Sequence, residues 1–111
     1  MPELIYLASP YSHPDPEVMR TRFMQACEAA AILMLAGNLI FSPIAHTHPI
    51  AQFDLPKGWE FWEKYDRAFL DVCSSMIVLR LPGWKESKGI AAEIAIMEAA
   101  DKPISYMDKD R

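Results

Sequence analysis

Glu93 is a carboxylate in a place where carboxylates are costly. The stretch from Gly83 to Glu93 follows an apolar run and leads into a helix-like segment. At about 100° per residue, Glu93 falls inside the arc of Ile90, Ile94, Ile96, Met97 and Ala100. Its side chain is therefore expected to point inward or into a cleft, where an ionised group without a partner is expensive. A carboxylate held in a partly apolar cleft can attack an anomeric carbon and form a covalent glycosyl intermediate. Its charge would also stabilise an oxocarbenium-like transition state. The plainer alternative is a glutamate that snorkels, or pairs with a lysine, at the edge of the helix.

Other side chains could join it. Ser87, six residues earlier and just ahead of Gly89, stands where an N-cap or an anion ligand belongs. Its hydroxyl and the free N–H groups of a helix start can hold a phosphate, and ordinary capping explains it equally well. Tyr6 and Tyr11 could orient a carboxylate or line a sugar pocket, although a tyrosine in a strand is usually packing. Asp66 could act as a general acid with a raised pKa, with a solvated helix surface as the alternative. Asp71 reads as helix-end decoration. His13, His46 and His48 raise the question of a metal, but an H-x-H pair with one remote histidine is weak support for a site. A turn or a substrate contact from His46 is the better expectation, and neither metal nor cofactor is expected. Trp59 and Trp62 could stack on a base, or serve as core or subunit interface.

The elements that must position these residues alternate along the chain. Leu4 to Ala8 reads as a buried strand. Asp15-Pro16-Glu17 is an N-cap, a first-turn proline and a first-turn acid, so a helix is expected from about Pro16 to Ala36, closed by Gly37. Leu39 to Phe41 is a second strand ended by Ser42-Pro43. The stretch from Pro43 to Gly58, with three prolines and two histidines, reads as an irregular excursion. Trp62, Tyr65, Phe69 and Val72 predict a helix over Trp59 to Val72. Ser75 to Leu81 is a strand, Ser87 to Ala100 a helix, and Ile104 to Met107 a last strand. This alternation predicts an α/β fold. Four parallel strands in the order 2-1-3-4 would carry helices on both faces, in a Rossmann- or flavodoxin-like arrangement. The chain then reverses direction between strands one and three, and a crevice opens at their carboxyl ends. The loops Ser9 to Asp15 and Pro82 to Ser87 would line it, gathering Tyr6, Ser9, Tyr11, Ser87 and Glu93.

Composition narrows the function classes. With 111 residues, 51% of them hydrophobic, the chain is read as a single domain over residues 1–111 with a real core. A formal charge of −4 with scattered basic residues argues against polymeric nucleic acid as a partner. Cys27 and Cys73 have neither disulfide nor zinc-finger spacing, which fits a reduced, cytoplasmic setting. The longest apolar region, Ala29 to Phe41, is broken by Gly37 and Asn38 and is shorter than the roughly 20 residues a membrane span needs. The Met1-Pro2-Glu3 start does not resemble a signal peptide.

Over nearly its whole length the chain resembles the nucleoside 2-deoxyribosyltransferase superfamily, including its 2′-deoxynucleoside 5′-phosphate N-hydrolase branch. The resemblance rests on Ile5-Tyr6-Leu7-Ala8-Ser9-Pro10-Tyr11, on Asp66 followed by Cys73-Ser74-Ser75-Met76-Ile77-Val78-Leu79, and on Ser87-x-Gly89-x-x-x-Glu93. It implies that Glu93 attacks C1′ of a nucleoside or nucleotide, that Tyr6 holds the carboxylate, and that Asp66 helps protonate the departing base. Transferases of that family tend to carry an aspartate six residues before the nucleophile, whereas its nucleotide hydrolases carry a phosphate-binding serine. Ser87 therefore implies a nucleoside 5′-monophosphate as substrate. Relatives complete their sites across subunits, which implies a homodimer or higher homo-oligomer. The short tail Asp108-Lys109-Asp110-Arg111 offers little for that purpose, so the His46 loop or Trp59 to Trp62 would have to serve. Ala91 and Ala95 stand where many relatives have glycine. Ser9 to Pro14 has no arginine, leaving Ser9, Ser12 and His13 in its place. These departures keep a second expectation open, a nucleotide-binding or sensing module without turnover.

Overall fold

The computed structural model describes residues 3–56 and 59–108, the Trp59 side chain excepted. Lys109 to Arg111 in the tail, Gly58 and the proposed stacking of Trp59 lie outside the described residues. Four parallel strands, β1 (Leu4–Ala8), β2 (Leu39–Phe41), β3 (Ser75–Leu79) and β4 (Ile104–Met107), form one sheet in the order β2-β1-β3-β4. Helices α1 (Pro16–Leu35), α2 (Pro43–Ala51), α3 (Trp59–Val72) and α4 (Lys88–Ala99) surround it. The α/β architecture and the strand order are those expected from the sequence.

Local chemistry sets the helix ends. Asp15 accepts a hydrogen bond from the Glu17 N–H at 2.9 Å, and Pro16 occupies the first turn of α1, where a missing N–H costs nothing. At the other end Gly37 has φ +100°. The N–H groups of Gly37 and Asn38 close back on the carbonyls of Met34 and Leu33, the paired bonds of a Schellman stop. Helix α4 ends the same way, with Asp101 at φ 59° and the Asp101 and Lys102 N–H groups bonded to Glu98 and Met97.

Side-chain alternation along the strands divides the core in two. Tyr6, Ala8, Met76 and Val78 pack with Leu70, Cys73, Ile90 and Met97 on the side covered by α3 and α4. Leu7 and Leu79 pack with Ala29 and Ala30 of α1 on the other. Each fully buried leucine or methionine here contributes about 1.5–3 kcal/mol relative to leaving it in water. No described helix is long and apolar enough to cross a membrane.

Two expectations are corrected. The stretch after Pro43 is not irregular throughout. Ser42 caps α2 by accepting from the Ala45 N–H at 3.2 Å, Pro43 starts the helix, and Pro49 sits inside it. Strand β3 stops at Leu79 rather than Leu81, because the chain turns there, with the Leu81 N–H bonded to the Leu79 carbonyl. The stripe Tyr65, Phe69 and Val72 is exposed. Helix α3 instead turns Leu70 and Cys73 into the core, which also brings Asp66 inward.

Candidate active site

Strand β1 delivers Tyr6 from the centre of the sheet, and its side chain is fully buried. Helix α4 crosses the same face and places Glu93, 6% exposed, beside it. The Tyr6 hydroxyl donates to Glu93 Oε2 at 2.6 Å, a short bond of the charge-assisted kind. Asp66 approaches this pair from α3, near enough for its charge to raise both Tyr6 and Glu93. Three elements, β1, α3 and α4, thus bring two carboxyls and a phenol near one another. Asp66 is half-buried rather than fully solvated.

Burial governs the electrostatics. It pushes Glu93 well above the usual carboxylate range; the Tyr6 hydrogen bond opposes this, and the neighbouring Asp66 charge and hydrogen bond add to it. Burial also raises Asp66, which its hydrogen bonds to Glu93 and Tyr6 partly offset. Tyr6 is raised too, by burial first and then by the Glu93 and Asp66 charges, so it remains a phenol and a donor. Each carboxylate therefore makes the other harder to ionise.

Aromatic rings form the adjoining wall. Phe41 at the end of β2 lies 6.0 Å from the Tyr6 ring and stacks on Phe69 of α3 at 4.0 Å. His46 of α2 lies at the outer edge of that wall, 6.0 Å from Phe41 and 6.5 Å from Phe69, with its side chain exposed. Neither Phe41 nor Phe69 stood out as a site residue in the sequence. Both read as ordinary strand and helix packing.

Ser87 is the N-cap of α4, its Oγ accepting from the Ile90 N–H at 3.2 Å. Only an acceptor lone pair is used there, so the hydroxyl proton remains to donate. The first-turn N–H groups of Lys88 and Gly89 lie outside the intrahelical ladder. A Cβ at Gly89 would meet Ser87 Oγ at 3.8 Å, an ordinary contact, so the fold does not demand glycine there. Six residues of helix put Ser87 about 9 Å from Glu93 along the axis. Ser9, at the carboxyl end of β1, is 6% exposed, and its Oγ has no hydrogen-bond partner among the described residues.

Tyr11 lies in the loop that joins β1 to α1. Its hydroxyl lies 2.6 Å from His48 Nδ1 on α2, and the His48 ring stacks on Phe23 of α1 at 4.3 Å. This pairing ties the first loop to α2 and has no signal in the sequence. His13 Nδ1 accepts from the Asp15 N–H at 3.0 Å. The three histidines are thus engaged separately. Among the described residues no group of His, Cys, Asp and Glu side chains is arranged to hold a metal ion. Trp62 packs against Phe61 and Tyr65 and donates to the Pro56 carbonyl at 2.9 Å. Ala91 and Ala95 are exposed on α4, so their methyl groups point away from the carboxylates. Two surface cavities, of about 360 and 380 Å³, lie along the loop Arg80 to Glu86 and between α3 and α4, and neither is lined by Glu93.

Residues 3–109 match the family described as Domain of unknown function (DUF1937), and the chain belongs to that family. No curated protein matches the sequence significantly.

Proposed function

We propose that this DUF1937 protein cleaves or exchanges the N-glycosidic bond of a nucleoside 5′-monophosphate or nucleoside, with Glu93 as nucleophile. The observation that carries the reading is the buried cluster of Tyr6, Glu93 and Asp66. In this reading one proton serves the two carboxyls: placed on Asp66 it leaves Glu93 ionised and Asp66 an acid, the two states that the reaction needs at once. Glu93 then forms a bond to C1′ as the C1′–N bond breaks, and the departing base nitrogen takes the Asp66 proton. Water, or a second base, attacks C1′ and releases Glu93. Tyr6 holds the carboxylate throughout. Ser87 and the first N–H groups of α4 are suited to a 5′-phosphate, because a hydroxyl donor and a helix N-terminus both favour an anion.

The test is a crystal structure soaked with a nucleoside monophosphate. The reading expects C1′ within about 3.5 Å of a Glu93 oxygen and the phosphate at Ser87. A sugar bound away from Glu93 would overturn it.

A second reading, nucleotide binding without turnover, draws on the 6% exposure of Glu93, which leaves a sugar ring little direct approach. Ligand-dependent thermal shifts with no free base would favour it. The proposal also includes self-association through the exposed Tyr65, Phe69 and Val72 of α3, which light scattering tests.

A further inference from the structure

Arg22, in α1, sits between the two loops that flank the carboxyl ends of β1 and β3. Its Nη1 donates to the Ser12 carbonyl at 3.0 Å and the Tyr11 carbonyl at 3.4 Å, and its Nη2 donates to the Pro82 carbonyl at 3.1 Å. The residue is half-buried and takes part in none of the ion pairs among the described residues. The cation is therefore held by backbone oxygens of two segments about 70 positions apart, not by a carboxylate. Gly83 completes the arrangement. It adopts φ +91°, and a Cβ there would lie 2.6 Å from Arg22 Nη2. The space that a side chain would occupy is the space that the guanidinium uses.

We infer that Arg22 is a positioning residue that clasps the Ser9–Asp15 loop to the Pro82–Ser87 loop and so sets the width of the crevice, with Gly83 kept free of a side chain to admit it. The second loop leads into Ser87 and the first turn of α4, and the first loop carries Tyr11. A planar fork with several donors can bind carbonyls on both loops at once, which a single ammonium does less completely. The inference rests on the glycosidic reading only for what the crevice is used for, and its test needs no substrate.

Amide hydrogen exchange would be read over residues 11–15 and 83–87 in the wild type, R22A, R22K, G83A and R22A/G83A. The expected result is exchange roughly tenfold faster in both segments of R22A, the scale of losing hydrogen bonds to a charged group, with part of the protection restored in R22K. G83A is expected to loosen residues 11–15 in the wild-type background and to add nothing there once Arg22 is gone. If residues 11–15 exchange equally fast in R22A and wild type, or if G83A loosens them equally in both backgrounds, the clasp is refuted. Should R22A fail to fold, R22K with and without G83A makes the same comparison. Because exchange is measured without ligand, failure of the clasp and failure of the glycosidic reading are told apart.

Discussion

Tyr6 and Glu93, 87 residues apart in sequence, are joined by a 2.6 Å hydrogen bond in the interior of the protein. The phenol is the group that lowers the Glu93 pKa against the burial that raises it. Removing the hydroxyl in Tyr6→Phe leaves the carboxyl harder to ionise. The acid limb of the kcat/KM profile for base release should move to higher pH. At neutral pH the loss should be roughly ten- to hundredfold, corresponding to about 1.5–3 kcal/mol for a hydrogen bond to a charged group. A pH–rate profile of the variant checks both.

Asp66→Asn should act in the opposite direction on that limb. The Asp66 charge and its hydrogen bond both raise Glu93, so the neutral amide lets Glu93 ionise at lower pH. The rate itself should fall by about 10²–10⁴, the usual contribution of a positioned general acid. Opposite displacements of the acid limb in Tyr6→Phe and Asp66→Asn, measured on one substrate, are the signature to look for.

Glu93→Gln should stabilise the fold at neutral pH. Because the folded pKa is raised, the folded state binds more protons than the unfolded state once pH passes the ordinary glutamate value. Stability is therefore lost as pH rises from there through the folded pKa. An amide escapes that loss and still accepts from Tyr6. A gain of about 1 kcal/mol is expected, on the order of 4 °C in Tm for a domain of this size. Thermal melts should show the gain at pH 7–8 and little of it at pH 4–5.

Ser87→Ala removes a helix cap, at a cost of about 1 kcal/mol, and with it the hydroxyl proposed to meet a phosphate. Preference for a nucleoside monophosphate over its nucleoside should fall roughly tenfold. Ser87→Asp keeps the cap and places like charges together, so it should retain the wild-type Tm and disfavour the monophosphate further. Paired KM measurements on nucleotide and nucleoside decide the matter.

Most of the fold could be read locally. The strands are short apolar runs, Asp15-Pro16 announces α1, and Gly37 ends it, since each signal lies within a few residues of its effect. Ser42-Pro43 has the same grammar as Asp15-Pro16 and starts α2, but Pro49 and the histidines obscured it. Glu93 was legible because a carboxylate breaks an apolar arc. Asp66 stood open between general acid and solvated surface, because spacing alone does not show that Leu70 and Cys73 carry the packing of α3. The Tyr11–His48 bond and the Arg22 contacts depend on where distant backbones meet, and spacing along the chain carries no trace of that.

The most direct test of Glu93 as nucleophile is release of free base from a panel of ribo- and deoxyribonucleoside monophosphates, followed by chromatography with wild type and Glu93→Ala side by side. The account predicts release by the wild type from at least one member and loss of that release by at least about 10³-fold in the variant, the scale on which losing a covalent nucleophile acts. Equal release by both proteins, or none by the wild type from any member, would contradict it.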